Sequence, residues 1–145
     1  MARLRLVLDS NVWISGVLWT GLPHRIVRLI ERDEAQAFAS TPMLDELREA
    51  LARPKFAARF DQLASSPSEV MAAVAGLVTL VTESRIEPVI RRDPDDDKVL
   101  ACAVSADADF VISGDRHLLE LQSYRGIRIV RPALFWREKG DSVRR

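Results

Sequence analysis

Apolar and polar positions fall in blocks along the chain, and the blocks switch between two periods. Leu4–Leu8 is a short apolar run ending at Asp9, the pattern of a strand buried on both faces. A Gly-containing loop is expected next. Pro23 suits a first helical turn, and Ile26, Val27, Leu29 and Ile30 give that helix an inward stripe through about Glu31. Ala35–Ala39 reads as a second strand. Pro42 opens a helix that must stop before Pro54, because proline disfavours helical backbone in the residue before it. A helix over Pro67–Ala75 leads into a strand around Leu77–Val81. Pro94 begins another helix, through Val99, Leu100, Ala103 and Ala106. Phe110–Ile112 is a strand, "GDRHLLEL" a turn and short helix, and Ile127–Val130 a last strand. This alternation predicts an α/β fold with a parallel sheet covered by helices on both faces. Such sheets hold their ligands beyond the carboxyl ends of the strands, near a switch in strand order.

Composition narrows the chemistry. The 145 residues suffice for one domain with a real core, expected over 1–138, and a basic, disordered tail is expected over 139–145. The apolar run before Asp9 is too short for a secretory leader or a membrane span, so a cytoplasmic address is expected. Cys102 stands alone, which excludes an internal disulfide and fits a reducing compartment. With only His24 and His117 beside it, no Cys/His zinc site can be assembled, so any metal must be held by oxygen. Net charge is +0, yet charge is segregated. From Arg116 onward eight Lys/Arg face three acids, a net of +5, while Asp93, Asp95, Asp96 and Asp97 crowd into one stretch. A basic rim around an acidic centre fits a metal-dependent nuclease; solvated loops would give the same totals.

The acids fall at telling places. Asp9 directly follows the first strand, and Asp115 follows the Phe110–Ile112 strand after Ser113 and Gly114. Both therefore belong to the carboxyl edge, although a loop-starting aspartate is also common in turns. On the helix after Pro42, Leu44, Leu47 and Leu51 define the expected buried stripe. Asp45 and Glu49 point away from it, and Glu46 lies at its border near the helix start. In "DPDDDK", Asp93 makes a good N-cap and acids in the first turn favour the helix dipole. That accounts for one or two acids; four in five residues repel unless a cation or solvent relieves them. Val99, Leu100, Ala103 and Ala106 centre on the direction of Asp96, which makes it the inward acid, with Asp97 in reserve. Converging carboxylates with open positions suit Mg²⁺ or Mn²⁺, ions that keep waters and accept phosphate oxygens.

Four stretches, "VLDSNVWISG", "STPMLDELREALARPKF", "DPDDDKVLACAVSADADFVISGD" and "LLEL", together resemble the PIN-domain family, and within it the toxin branch of VapC-like ribonucleases. They cover most of the chain in the right order. The resemblance implies a three-layer α/β/α sandwich with a central parallel sheet. It implies an acidic quartet that binds Mg²⁺ or Mn²⁺ and hydrolyses single-stranded RNA, leaving 5′-phosphate and 3′-hydroxyl ends. Carried over by position, Asp9, Glu46, Asp96 and Asp115 are the four acids, with Asp97 as the alternative third. Asn11 and Ser113 match supporting polar positions, Ser113 standing where threonine is more usual. The family further implies a homodimer or higher homo-oligomer and, in toxin members, a cognate antitoxin in the active-site groove. The alternative is a catalytically silent RNA-binding or interaction module of the same fold.

Other classes fit less well. A haloacid-dehalogenase-like phosphatase needs a second Asp where Asn11 stands. A response-regulator receiver needs a lysine at the end of its last strand, where Val130 is followed by Arg131 and Pro132. Arg25, Arg28 and Arg32 form a row that either meets RNA phosphates or is the wet face of a helix. Trp13 and Trp19 are read as core, base-stacking or interface residues, Trp136 as a pin for the tail, and Cys102 as a small core residue. His117 is too isolated for a catalytic assignment.

Overall fold

The computed structural model describes residues 3–83 and 94–143, with side chains at all of these except 94–96 and 140–143. Six strands form one sheet: β1 (Leu4–Leu8), β2 (Ala35–Ala39), β3 (Val78–Leu80), β4 (Phe110–Ile112), β5 (Ser123–Tyr124) and β6 (Ile127–Val130). Their order across the sheet is β3-β2-β1-β4-β6-β5, and every pairing is parallel except that of β5 with β6. The chain therefore winds outward from β1 to β3 and then returns to the other side of β1. β1 and β4 flank the switch in strand order.

Among the described residues, eight helices lie on the two faces: α1 (Ser10–Leu18), α2 (Leu22–Glu31), α3 (Thr41–Leu51), α4 (Ala57–Leu63), α5 (Pro67–Leu77), α6 (Pro94–Ala106), α7 (Arg116–Leu121) and α8 (Pro132–Val143). Successive strand residues point to opposite faces, so the sheet feeds two cores. Leu6, Leu8 and Ile112 pack with Ile26, Leu47 and Phe135 on the side of α1, α2, α3 and α8. Val7, Val111 and Ile129 pack with Leu100, Cys102 and Leu118 on the side of α6 and α7. Both cores are close to dry. This is the α/β/α arrangement that the hydrophobic pattern predicts.

The strand limits at Leu4–Leu8, Ala35–Ala39, Phe110–Ile112 and Ile127–Val130 coincide with the sequence reading. Other features differ from it, β5 among them. The expected loop after Asp9 is helix α1, and Gly16 within it serves close packing and not a turn. A three-residue 3-10 turn at Pro54–Phe56 and helix α4 fill the stretch after Pro54. The buried stripe of α3 is Met43, Leu47, Ala50 and Leu51, with Leu44 only half-buried, so the face is rotated slightly toward the helix start. Finally, α8 runs on to Val143, so residues 139–143, expected as tail, are helical. Lys139 explains part of that: it is 7% exposed and sits 3.7 Å from the centroid of the Trp136 ring.

α1 and α2 cross closely at Gly16. A Cβ there would lie 2.6 Å from Val27 Cγ2 and 2.8 Å from the Pro23 carbonyl oxygen. Gly76, near the end of α5, has nothing within 4 Å of the same position. Gly16→Ala is therefore expected to destabilise the fold by about 1–3 kcal/mol through overpacking. Gly76→Ala is expected to stabilise it by about 0.5–1 kcal/mol, because a helical glycine is the costlier residue. Thermal unfolding of the two variants checks the contrast, and equal shifts would contradict the tight crossing.

Candidate active site

Asp9 directly follows β1, and Asp115 ends the short loop after β4; these are the two strands at the switch point. Both are N-caps, and in both the cap leaves chemistry to spare. Asp9 precedes α1 with extended backbone, and its Oδ1 accepts from the Ser10 N–H at 2.7 Å. Its own N–H donates to the Ile112 carbonyl at 3.0 Å, which carries the β1–β4 ladder one residue past the strand. Asp115 precedes α7, and its Oδ1 accepts from the N–H groups of His117 at 2.8 Å and Leu118 at 3.2 Å. The turn reading of both acids is thus borne out, and both stand at the carboxyl edge of the sheet.

Ser113 joins them. Its side chain is 0% exposed. The hydroxyl donates to Asp9 Oδ2 at 2.7 Å and accepts from the Asp115 N–H at 2.9 Å. Its backbone N–H donates to the Val130 carbonyl at 3.0 Å, which fixes it against β6. A buried hydroxyl without partners costs about 1–3 kcal/mol, so both bonds hold it to one rotamer. The carboxylate of Asp9 is thereby locked in orientation from both oxygens, and the turn that presents Asp115 is tied to the same atom.

The other expected residues are placed as follows. Glu46 is half-buried in the second turn of α3, a helix that packs on both α1 and α6. Asp97 is half-buried in the first turn of α6, which packs on β1, β2 and β4. Asp96 lies in the same turn, and its side chain falls outside the described residues, as does Asp93 altogether. Asn11 is exposed on α1. Among the described residues no group of three or more His, Cys, Asp or Glu stands close enough to hold a metal ion. What the structure does bring together is the pair Asp9 and Asp115, through Ser113. Two hard carboxylates at the rim of a carboxyl edge fit a hard divalent cation that takes its further ligands from water and phosphate. Ser113 was legible as support, but its full burial and its link to both acids follow only from the strand pairing.

The other residues singled out from sequence have structural roles. Trp13 is core, 2% exposed, whereas Trp19 is 42% exposed, edge-on to Phe56, with the Arg59 guanidinium 5.6 Å from its ring centroid. Trp136 lies between Arg25 and Lys139. Cys102 is fully buried in α6. Burial pushes its thiol from 9.0 up to about 12, helped by the nearby Glu83 carboxylate and opposed by a backbone hydrogen bond at Ser40.

The model of the PIN domain family matches residues 5–117, and the chain belongs to that family. No curated protein matches the chain. PIN domains are in general nucleases that use divalent metal ions, and membership points this chain to nuclease activity. Among the described residues, no helix is long and apolar enough to cross a membrane.

Two outcomes follow from the side chains just described. Ser113→Ala removes a donor to Asp9 and an acceptor for Asp115 at a dry position, and is expected to cost about 1–3 kcal/mol in chemical denaturation. Ser113→Ala with unchanged stability would contradict the bridging role. Cys102 is expected to resist thiol reagents in the folded protein at pH 8 and to react at once in denaturant, because only the thiolate is nucleophilic. Its folded value lies above its unfolded one. The stability it contributes is therefore complete below about pH 9 and declines as pH rises toward about 12.

Proposed function

We propose that the chain is a metal-dependent endoribonuclease that hydrolyses phosphodiester bonds of single-stranded RNA. The carrying observation is the placement of Asp9 and Asp115 side by side at the switch in strand order, joined through the buried hydroxyl of Ser113. A doubly wound sheet binds its ligand there. Asp9, Glu46, Asp96 and Asp115 are the carboxylates assigned to the metal, with Asp97 in place of Asp96 as the alternative; Ser113 and Asn11 support them.

The all-oxygen donor set favours Mg²⁺ or Mn²⁺. Such an ion, when bound, polarises the phosphate and neutralises the leaving oxygen. The protein supplies position. Ser113 holds Asp9 in one orientation, and the first turn of α7 holds Asp115 through two backbone N–H groups. In the hydrolysis, a water oxygen bonds to phosphorus and the bond to the 3′-oxygen breaks. A carboxylate takes a proton from the water, the departing 3′-oxygen takes one from solvent, and the products carry a 5′-phosphate and a 3′-hydroxyl.

The biological reading is the toxin of a type II toxin–antitoxin pair, acting in the cytoplasm as a homodimer or higher homo-oligomer, with a cognate antitoxin covering the groove. It rests on the family resemblance of the four stretches.

Purified protein is expected to cleave single-stranded RNA with Mg²⁺ or Mn²⁺ and to stop with EDTA. Asp9→Asn and Asp115→Asn are each expected to reduce cleavage at least about 100-fold, the scale of losing a charge-stabilising group in a transition state. Asp96→Asn should be as severe and Asp97→Asn only partial; the reverse ranking moves the third ligand by one residue. Cleavage that persists in EDTA and is unchanged by Asp9→Asn would refute the mechanism. Slowed growth on induced expression, relieved by a neighbouring gene product, tests the toxin role.

A further inference from the structure

A recess lies two strands from β1, at the open side of β6. β5 is only two residues long and covers Ile127 and Arg128. Above that pair the Ile129 N–H meets the Gln122 carbonyl at 2.9 Å, and the sheet edge then stands uncovered. The result is a cleft of ≈ 500 Å³ between the end of α7, β6 and the first turns of α8. Leu119, Ile129, Val130 and Leu134 give it apolar walls, and Arg128, Arg131 and Arg137 give it charge, with no acid in the lining.

The three arginines are not equivalent. Arg128 is paired with Glu138 of α8. Arg131 and Arg137 are exposed and make no ion pair among the described residues. Arg131 is the first residue past β6, hence at the carboxyl edge itself. The neighbouring Val130 carbonyl accepts from the N–H of Ser113, whose hydroxyl holds Asp9. The strand that carries the cleft, β6, is the neighbour of β4, which leads to Asp115, and lies two strands from β1, which leads to Asp9.

We propose that this cleft seats a nucleotide of the RNA strand next to the one being cut, with its base against the apolar wall and its phosphate on Arg131 and Arg137. The proposal rests on the ribonuclease reading and extends it to a substrate subsite. An apolar wall beside unpaired guanidinium groups matches a nucleotide, which carries an aromatic face and an anion on one scaffold. A free phosphate uses the charge and leaves the wall idle. An acidic peptide uses the charge and fits the wall only through its side chains.

The test measures binding separately from cleavage. Full-length Asp9→Asn protein in EDTA is titrated with a fluorescein-labelled single-stranded oligoribonucleotide at several salt concentrations. Arg131→Ala and Arg137→Ala are each expected to weaken binding about fivefold to tenfold and to reduce the slope of log K against log salt by roughly 0.7, the loss of one phosphate contact on a single strand. Arg137→Lys should keep the slope, and circular dichroism should show all variants folded. In methyl NMR spectra, adenosine 5′-monophosphate should shift Leu119, Ile129 and Leu134, while inorganic phosphate should leave them in place. Unchanged affinity and slope in variants of a protein that still cuts RNA would overturn the subsite alone. Failure of the wild type both to bind and to cut RNA would overturn the ribonuclease reading and the subsite with it. Shifts of the same methyls by an acidic peptide but not by the nucleotide would give the cleft to a protein partner and refute the assignment.

Discussion

A serine hydroxyl with no access to water must find both a donor's target and an acceptor's source within the protein, and at Ser113 those are Asp9 and the N–H of Asp115. The loops after β1 and β4 are held in register by that one oxygen. Because β1 and β4 are neighbours only at the switch in strand order, the arrangement depends on topology as much as on residue type. Exchange the order of two strands, and the same residues lie apart. The helices α1 and α7 start from the two capping aspartates, so the acids proposed for the metal also set where two helices begin.

Much of the fold is readable from periodicity because the strands are buried on both faces. Leu6–Leu8 and Phe110–Ile112 are apolar without interruption, and no other element type suits so short a run between polar ends. Helix α1 was hidden for a different reason. Gly16 looks like a loop signal, yet it lies where α1 meets Val27 and Pro23 too closely for any side chain. Sequence shows a glycine; only the packing distinguishes a turn from a close crossing. β5 was equally hidden, since two residues leave no pattern, and its left-handed neighbours Gln122 (φ 61) and Arg125 (φ 51) do not advertise themselves as glycine does.

The site was legible unevenly. Asp9 and Asp115 could be placed at the carboxyl edge because Asp9 directly follows β1 and only Ser113 and Gly114 stand between β4 and Asp115. Glu46 depends on how α3 is rotated, and its buried face proved to centre nearer Met43 than the leucine stripe suggests. In α6 the choice between Asp96 and Asp97 turns on one residue's rotation, which helical periodicity alone leaves to the packing of Val99, Leu100 and Cys102. The net charge of +0 was the least informative figure. It averages an acidic edge against arginines that the fold sets one strand further along, and the average conceals the gradient between them.

The sheet ends in β3, three residues long, and in β5, two residues long. Exposed strand edges are templates for other chains, and their capacity to recruit one scales with the length of ladder on offer. Flanks this abbreviated give an incoming strand few hydrogen bonds. The molecule is thereby guarded against runaway sheet growth at high concentration.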